Sequence, residues 1–226
     1  NSTRSREFLS YFRSVFLQFV LPLLLLGIVG GGFLTFRAMR PVRQLIQTVR
    51  CMRDEGKFLG GDEIKRPPKM FVGAAANPFA DPFEIRVARL AKKVAAGCQF
   101  IQTQCIYNME KFKTWMQQIR DQGLHEKVAI LAGLTPMKNV GMAKYMKNRV
   151  PGIDVPDDII ERLAAVPKEK QADEGIKICV EQIEELKEEE GIRGFHIMAI
   201  EWEEKVPEIV EKAGLYPRPE IKVSEN

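Results

Sequence analysis

Residues that commonly bind metal ions are scarce in this sequence. Its 226 residues include two histidines and four cysteines, the latter being Cys51, Cys98, Cys105 and Cys179. The cysteines form no C-x-x-C pair, and no histidine is spaced to complete a zinc site with them. We therefore expect no metal centre and free thiols in a reducing compartment. Any catalysis is expected to depend on an organic cofactor or on carboxylates.

Short nucleotide-binding and nucleophile motifs are also absent, since the chain contains no G-x-G-x-x-G, P-loop, G-x-S-x-G or H-E-x-x-H sequence. Acidic residues are rare in residues 1–53, which hold eight arginines and one acid, Glu7, for a net charge of +7. The overall charge of +4 therefore leaves −3 for residues 54–226. Because the positive charge lies outside the part expected to fold, we expect no nucleic-acid partner.

A long uncharged segment lies near the N-terminus. Residues 15–36 read VFLQFVLPLLLLGIVGGGFLTF and contain no charged residue, and about 20 apolar residues are enough to cross a bilayer. A secretory signal peptide has a shorter apolar core, and a soluble core helix with this pattern would need burial on every side. The segment predicts a single membrane-spanning helix. More arginines follow it than precede it, which favours a cytoplasmic C-terminal side.

The next segment predicts an amphipathic helix. Pro41 opens it, and Val42, Leu45, Ile46 and Val49 follow at helical spacing. With the preceding span, this segment resembles the membrane exit and first signalling helix, of the HAMP type, of bacterial sensor kinases. No second HAMP helix and no histidine-phosphorylation helix follow, so a working sensor kinase is not expected.

From residue 69 onward, short apolar runs alternate with helical patterns. Strands are predicted at residues 70–76, 100–104, 128–133 and 194–200, with helices between them and a final helix at residues 203–213. Alternation of this kind predicts an α/β fold with a parallel sheet, either doubly wound or forming a barrel. Ligands of such folds bind at the carboxyl ends of the strands. Polar or turn residues follow the predicted strands at residues 77–78, 102–104, 133–136 and 201–202.

These strand ends carry a family resemblance. It is carried by the segment from MRDEGKFLGG through AGCQFIQTQC, together with LAGLTPMKN and GFHIMAIEWEEKVPEI. Over about residues 44–215, the sequence resembles the C-terminal half of methylenetetrahydrofolate reductase. It is most similar to the branch found in anaerobes. The resemblance implies the second half of a (β/α)8 TIM barrel, about four βα units. It also implies an oxidoreductase of one-carbon metabolism that reduces methylene- to methyl-tetrahydrofolate through FAD or FMN, with NAD(P)H as reductant.

The resemblance also implies roles for individual residues. Asn77 matches a residue that lies against the flavin. Arg89, Lys92 and Lys93 match helix positions that reach the ribose and phosphates of the flavin, a role that suits cationic donors. Gln104 matches the glutamine that hydrogen-bonds the pterin ring of the folate, where an amide supplies both a donor and an acceptor.

Several positions depart from the pattern of the family. Arg86, Met142 and Trp202 replace an acid near the flavin, a folate-contacting glutamine and an arginine near the folate tail. His196, inside a predicted strand, is interpreted as a core histidine. A complete barrel needs about 250 residues, so the first half, with the catalytic acids of the family, is expected to be missing. No catalytic residue is predicted, and whether the chain alone is an enzyme is left open.

The sequence thus predicts four regions. Residues 1–40 contain the membrane helix, residues 41–68 form a helical connector and linker, residues 69–215 form the reductase-like α/β domain, and residues 216–226 form a tail. The chain is expected at the membrane, single-pass, with the α/β domain in the cytoplasm, or in the cytoplasm if the N-terminal segment is an artefact. Self-association or a complementing subunit is expected. The alternative function is a non-enzymatic membrane-anchored scaffold or a chimeric sensor-kinase fragment.

Overall fold

A computed structural model of the chain describes residues 16–22 and 40–218. The chain divides into two units, Asn1–Leu45 and Ile46–Asn226. In the first unit, Phe16–Val20 forms a π-helical turn whose side chains are exposed. Within the described ranges, no helix is long and apolar enough to cross a membrane. Most of the span predicted for residues 15–36 lies outside those ranges, so the span stays a prediction.

The predicted connector contains a helix, α1 (Arg40–Arg50), followed by a π-helical turn, Cys51–Glu55. In the second unit, this turn is fixed to the amino ends of the strands. Arg53 donates from Nη1 to the carbonyl oxygen of Met70 at 3.2 Å and to Oε1 of Gln99 at 2.5 Å. The segment 46–55 is therefore part of the α/β unit and not a free linker.

A four-stranded parallel sheet forms the centre of the second unit. The strands, in their order across the sheet, are β1 (Gly73–Ala76), β2 (Phe100–Cys105), β3 (Ala129–Leu134) and β4 (Ile192–Ile197). Spatial order therefore follows chain order. Because crossover connections are right-handed, a sheet of this order carries its connecting helices on one face. The predicted α/β fold with a parallel sheet is confirmed.

Six helices of the second unit follow the strands or their loops: α2 (Arg86–Ala96), α3 (Met109–Asp121), α4 (Val140–Arg149), α5 (Asp157–Ala164), α6 (Gln171–Lys187) and α7 (Val206–Lys212). Short 3-10 helices precede α2, α6 and α7, at Phe83–Ile85, Lys168–Lys170 and Glu203–Lys205. Local capping explains where several helices begin and end. Asn108 and Asn139 accept backbone N–H groups in the first turns of α3 and α4. Gly97 ends α2 with a φ of 105°.

The observed strands differ from the predicted ones at several ends. Strands β2 and β3 each end one residue later than predicted, and β4 starts two residues earlier. Strand β1 starts three residues later than predicted, because the N–H of Val72 bonds to the side chain of Gln99, outside the strand ladder. Strand β4 ends at Ile197 and not at Ile200, because the N–H of Ile200 turns back to the carbonyl oxygen of Met198. The late start of β1 and the early end of β4 therefore both arise from hydrogen bonds that compete with the ladder.

The two faces of the sheet differ in burial. The side chains of one face alternate into the core, namely Ile101, Thr103, Cys105, Ile130 and Ala132. On the other face, the ring of Phe100 fills the space beside Gly73, where a Cβ would lie 2.2 Å from the ring. Phe71, which is 65% exposed, stacks on Phe100 with ring centroids 5.4 Å apart. The second face is thus only half covered within the described residues.

Candidate ligand site at the carboxyl ends of the strands

Asn77, the first residue after β1, forms a tight turn. Its Oδ1 accepts the backbone N–H of Phe79 at 2.9 Å and that of Ala80 at 3.1 Å. Gly152 packs against the other end of the amide, because a Cβ on Gly152 would lie 2.3 Å from Nδ2 of Asn77. Both ends of the Asn77 side-chain amide are therefore held, at the carboxyl end of β1.

A group of cations on α2 lies beside the same strand. Lys93 donates from Nζ to the carbonyl oxygen of Ala75 at 2.5 Å. Burial lowers the pKa of Lys93, and the positive charges of Arg89 and Arg86 lower it further. Arg89 and Lys93 therefore lie close to each other, and Lys93 contacts Ala75, two residues before Asn77. Lys92, on the same helix, is exposed.

Arg86 is held in the turn that precedes α2. Its guanidinium donates to the backbone carbonyl oxygens of Asp81 and Pro82, the latter at 3.2 Å. Its positive charge faces that of Arg89. The negative charge of Asp81 also acts on Arg86. Several cationic donors on one helix suit an anionic ligand such as a diphosphate.

Gln104 lies in a bulge at the end of β2. Gln102 pairs with Leu131 and Cys105 pairs with Gly133, so two residues of β2 face one residue of β3. Bulges of this kind re-aim side chains and occur next to active sites. Gln104 is half-buried there, on the strand next to that of Asn77.

The bulge is stabilised by hydrogen bonds and by a close approach of two backbones. Oγ1 of Thr103 accepts the N–H of Gly133 at 2.8 Å and donates to the carbonyl oxygen of Gln104 at 3.0 Å. A Cβ on Gly133 would lie 2.3 Å from the carbonyl oxygen of Thr103. Only glycine fits this position without a backbone shift. The bulge was not predicted from the sequence, although a glycine inside a predicted strand is a known signal for a close approach of two backbones.

A second contact missed from the sequence joins the loops after β3 and β4. Lys138 donates from Nζ to the carbonyl oxygen of Glu201 at 2.8 Å, and the ammonium lies 5.9 Å from the centroid of the Trp202 ring. Glu201 has a φ of 49°, a left-handed conformation that is uncommon for a residue with a side chain. The contact fixes Trp202, which is 9% exposed, at the edge of the sheet.

Buried polar side chains lie next to the carboxyl ends of β2 and β3. The hydroxyl of Tyr107 donates to the carbonyl oxygen of Thr135 at 2.9 Å, and Sγ of Cys105 lies 3.0 Å from the hydroxyl of Thr135. Burial raises the pKa of Tyr107 and that of Cys105. Both side chains therefore stay neutral near pH 7. Among the described residues, no group of three or more His, Cys, Asp or Glu is placed to hold a metal ion.

The fold is that of a parallel α/β protein, and the polar residues at the carboxyl ends of its strands form a candidate ligand site. The chain belongs to the methylenetetrahydrofolate reductase family, whose sequence profile matches residues 64–214. The match does not reach residues 1–63. The resemblance of the N-terminal part to a sensor-kinase junction is not supported by this family match and stays a prediction.

Curated relatives include fungal reductases. Methylenetetrahydrofolate reductase 2 of Schizosaccharomyces pombe is 28% identical over 132 residues, which are 56% of this chain and 20% of the relative. Methylenetetrahydrofolate reductase 1 of the same yeast is 26% identical over 154 residues, 64% of this chain and 24% of the relative. Methylenetetrahydrofolate reductase 2 of Saccharomyces cerevisiae is 25% identical over 155 residues, 65% of this chain and 25% of the relative. The chain thus spans a quarter or less of the length of these relatives.

A solved structure also matches. It is described as an uncharacterized protein from Clostridium thermocellum that binds two copies of 5-methyl-5,6,7,8-tetrahydrofolic acid. The match has a TM-score of 0.46 and 20% sequence identity, and it covers 66% of this chain and 54% of that protein.

Proposed function

We propose that this chain is the flavin- and folate-binding part of a methylenetetrahydrofolate reductase, which reduces methylene- to methyl-tetrahydrofolate. The family match over residues 64–214 supports this function. The observation that supports the proposal most is the bulge at the end of β2, because Gln104 lies in it, and ligands of parallel α/β folds bind at the carboxyl ends of the strands. The amide of Gln104 has a donor and an acceptor for the pterin ring.

The cations of α2 are proposed to hold the phosphates of FAD or FMN. Arg89, Lys92 and Lys93 supply the donors, since several cationic donors on one helix suit an anion. Asn77 lies at the end of the strand that Lys93 contacts, a position that suits a contact with the flavin ring. When bound, the flavin supplies hydride transfer from NADH or NADPH to the methylene carbon of the folate.

The sheet is proposed to be half of a (β/α)8 barrel. Strands β1 and β4 are the two edges of the sheet, so each has one side without a paired strand in the described part of the chain. Open edges pair readily with other chains. We infer that a complementing subunit or a second copy of the chain covers them and completes the site.

The location of the protein is proposed from the apolar run. Residues 15–36 are proposed to cross the membrane once and to leave the α/β unit in the cytoplasm. The two resemblances overlap at residues 42–48. Sequencing the gene across the codons for residues 41–52 from an independent sample tests this junction, because an artefact there would remove the membrane proposal and leave the family match over residues 64–214 intact.

The test is flavin and folate binding by the full chain in detergent, alone and with the first barrel half of a family member supplied as a separate chain. We expect weak flavin binding alone and tighter binding with the complementing half. Gln104→Ala should weaken folate binding by roughly 5- to 150-fold, since an unmatched buried polar contact costs about 1–3 kcal/mol. Gln122→Ala, on an exposed glutamine at the end of α3, is the matched control.

Absence of both flavin and folate binding in the presence of the complementing half would contradict the proposal and favour a scaffold. Equal folate affinity in the two variants would instead refute the role of Gln104 alone.

A further inference from the structure

A short segment after α4 crosses the loops that follow β1 and β2. We call residues 150–155 the strap. Ile153 is 8% exposed and Val155 is 1% exposed, and both side chains lie in the core cluster. Asp154, between them, is half-buried, and its carboxylate contacts Asn108 and Lys111. The strap is therefore anchored in the core by two side chains and carries a carboxylate between them.

Asp154 ties the strap to the first turn of α3. Its Oδ2 accepts from Nζ of Lys111 at 3.3 Å and from Nδ2 of Asn108 at 3.2 Å. Asn108 is itself the N-cap of α3, where its Oδ1 accepts the N–H of Lys111 at 3.0 Å. The carboxylate thus meets a cation and an amide that are already held in a fixed relation by the helix start.

Lys111 extends the same connection to the loop after β1. Its Nζ lies 3.5 Å from the carbonyl oxygen of Phe79 and 5.7 Å from the centroid of the Phe83 ring. The ammonium group of Lys111, in the first turn of α3, therefore joins the loop after β1 to the strap, and Asn108, which precedes α3, contacts the same carboxylate of the strap. Movement of the loop or of the strap changes the contacts of the other.

Gly152 brings the strap against Asn77. Its φ of 78° and the 2.3 Å from an added Cβ to Nδ2 of Asn77 show that glycine is required for this approach. Oδ1 of Asn77 is already used by two backbone N–H groups. An amide held in this way can offer a ligand only an N–H of Nδ2.

We propose that Asp154 is a positioning residue, which through Lys111 and Asn108 holds the strap so that Gly152 fixes Asn77 as a hydrogen-bond donor. The group that Asn77 contacts is then an acceptor atom of the ligand. This inference rests on the proposed function only where it concerns the flavin. The fixing of Asn77 by the strap is a property of the chain without ligand.

The test compares Asp154→Asn with Asp157→Asn in the full chain. Asp157 is a matched control, because it also pairs with a lysine, Lys147, at 2.6 Å, close in sequence to the strap. Hydrogen exchange is measured at the amides of Phe79 and Ala80, which bond to Asn77. We expect Asp154→Asn to speed their exchange roughly fivefold, because the loss of one partly exposed charged partner weakens the connection that holds the turn of Asn77. Asp157→Asn should leave it unchanged.

Lys111→Met provides a second variant from the other side of the contact. It should speed exchange at the same two amides, and its combination with Asp154→Asn should add little, because both changes break one connection. Equal exchange in Asp154→Asn and Asp157→Asn would overturn the proposal. An equal acceleration at the amides of α6 would also overturn it, since it would indicate general destabilisation.

Flavin affinity with the complementing half is the second readout. Asp154→Asn should weaken it about fivefold relative to Asp157→Asn, through the loss of an oriented donor. If the unaltered chain binds no flavin, the proposed function fails, whereas the exchange measurement still decides the role of the strap. Faster exchange with unchanged flavin affinity would overturn the assignment of Asn77 as a ligand donor.

Discussion

Gly133→Ala is the change that tests the bulge of β2 most sharply. The added Cβ would lie 2.3 Å from the carbonyl oxygen of Thr103 and 2.9 Å from that of Gln104. Both atoms belong to the backbone, so no change of side-chain rotamer relieves the contact. The two strands must separate locally, which also strains the hydrogen bond from the N–H of Gly133 to Oγ1 of Thr103.

The expected cost follows from this geometry. Overpacking of a closely packed site costs about 1–3 kcal/mol, and 1 kcal/mol lowers the melting temperature of a protein of this size by about 2–4 °C. Gly133→Ala should therefore lower the melting temperature by roughly 2–12 °C, measured by circular dichroism of the full chain in detergent. It should also weaken folate binding in the presence of the complementing half, because Gln104 moves with the bulge.

Gly60→Ala is the matched control. An added Cβ there has its nearest heavy atom at 3.9 Å, so the melting temperature should stay within about 1 °C. If Gly133→Ala has the same melting temperature as Gly60→Ala, the close approach of β2 and β3 does not exist as described.

The remaining predictions concern an ion-pair cluster, the membrane and assembly. Arg162 lowers the pKa of Glu174 and that of Glu181 below their ordinary value of 4.5. The stability that these pairs contribute is therefore present near neutral pH and lost as pH falls below about 4.5. Arg162→Met should lower the melting temperature at pH 7 and should lower it less at pH 3. An equal decrease at the two pH values would contradict this. The full chain should need detergent to stay dispersed, and deletion of residues 1–40 should remove that need; a monodisperse full chain in plain buffer would refute the span. Sedimentation at micromolar concentration should show self-association through the sheet edges, whereas a monomer at every concentration would argue against it.

Much of the fold could be predicted from local patterns. The four strands were found because short apolar runs were bounded by turn residues, and the helices because their apolar positions recur at helical spacing. Strand ends were less predictable. Val72 and Ile200 look like strand residues, but a side-chain amide and a backward turn take their N–H groups. The partner of Val72 lies 27 residues away in the chain, so a local pattern does not reveal it.

The candidate site was less predictable than the fold. Polar residues at strand ends indicated the edge, and the resemblance to the family supplied roles for them. Neither revealed that Gly133 permits a bulge, that Asp154 reaches Lys111 or that Lys138 contacts Glu201. Each of these contacts joins residues that are 30 or more positions apart in the chain. Their partners become neighbours only after the parallel sheet has formed, so no local pattern carries the signal.

The central claim is that this chain supplies the folate contact of a reductase whose remaining strands come from elsewhere. The most direct test measures the two half-reactions separately, by anaerobic stopped flow, with the complementing barrel half present. The account predicts that Gln104→Ala slows oxidation of the reduced flavin by the folate substrate, while reduction of the flavin by NADH or NADPH stays at the rate of Gln122→Ala. Equal loss in both half-reactions, or full turnover by the chain without its complement, would contradict it.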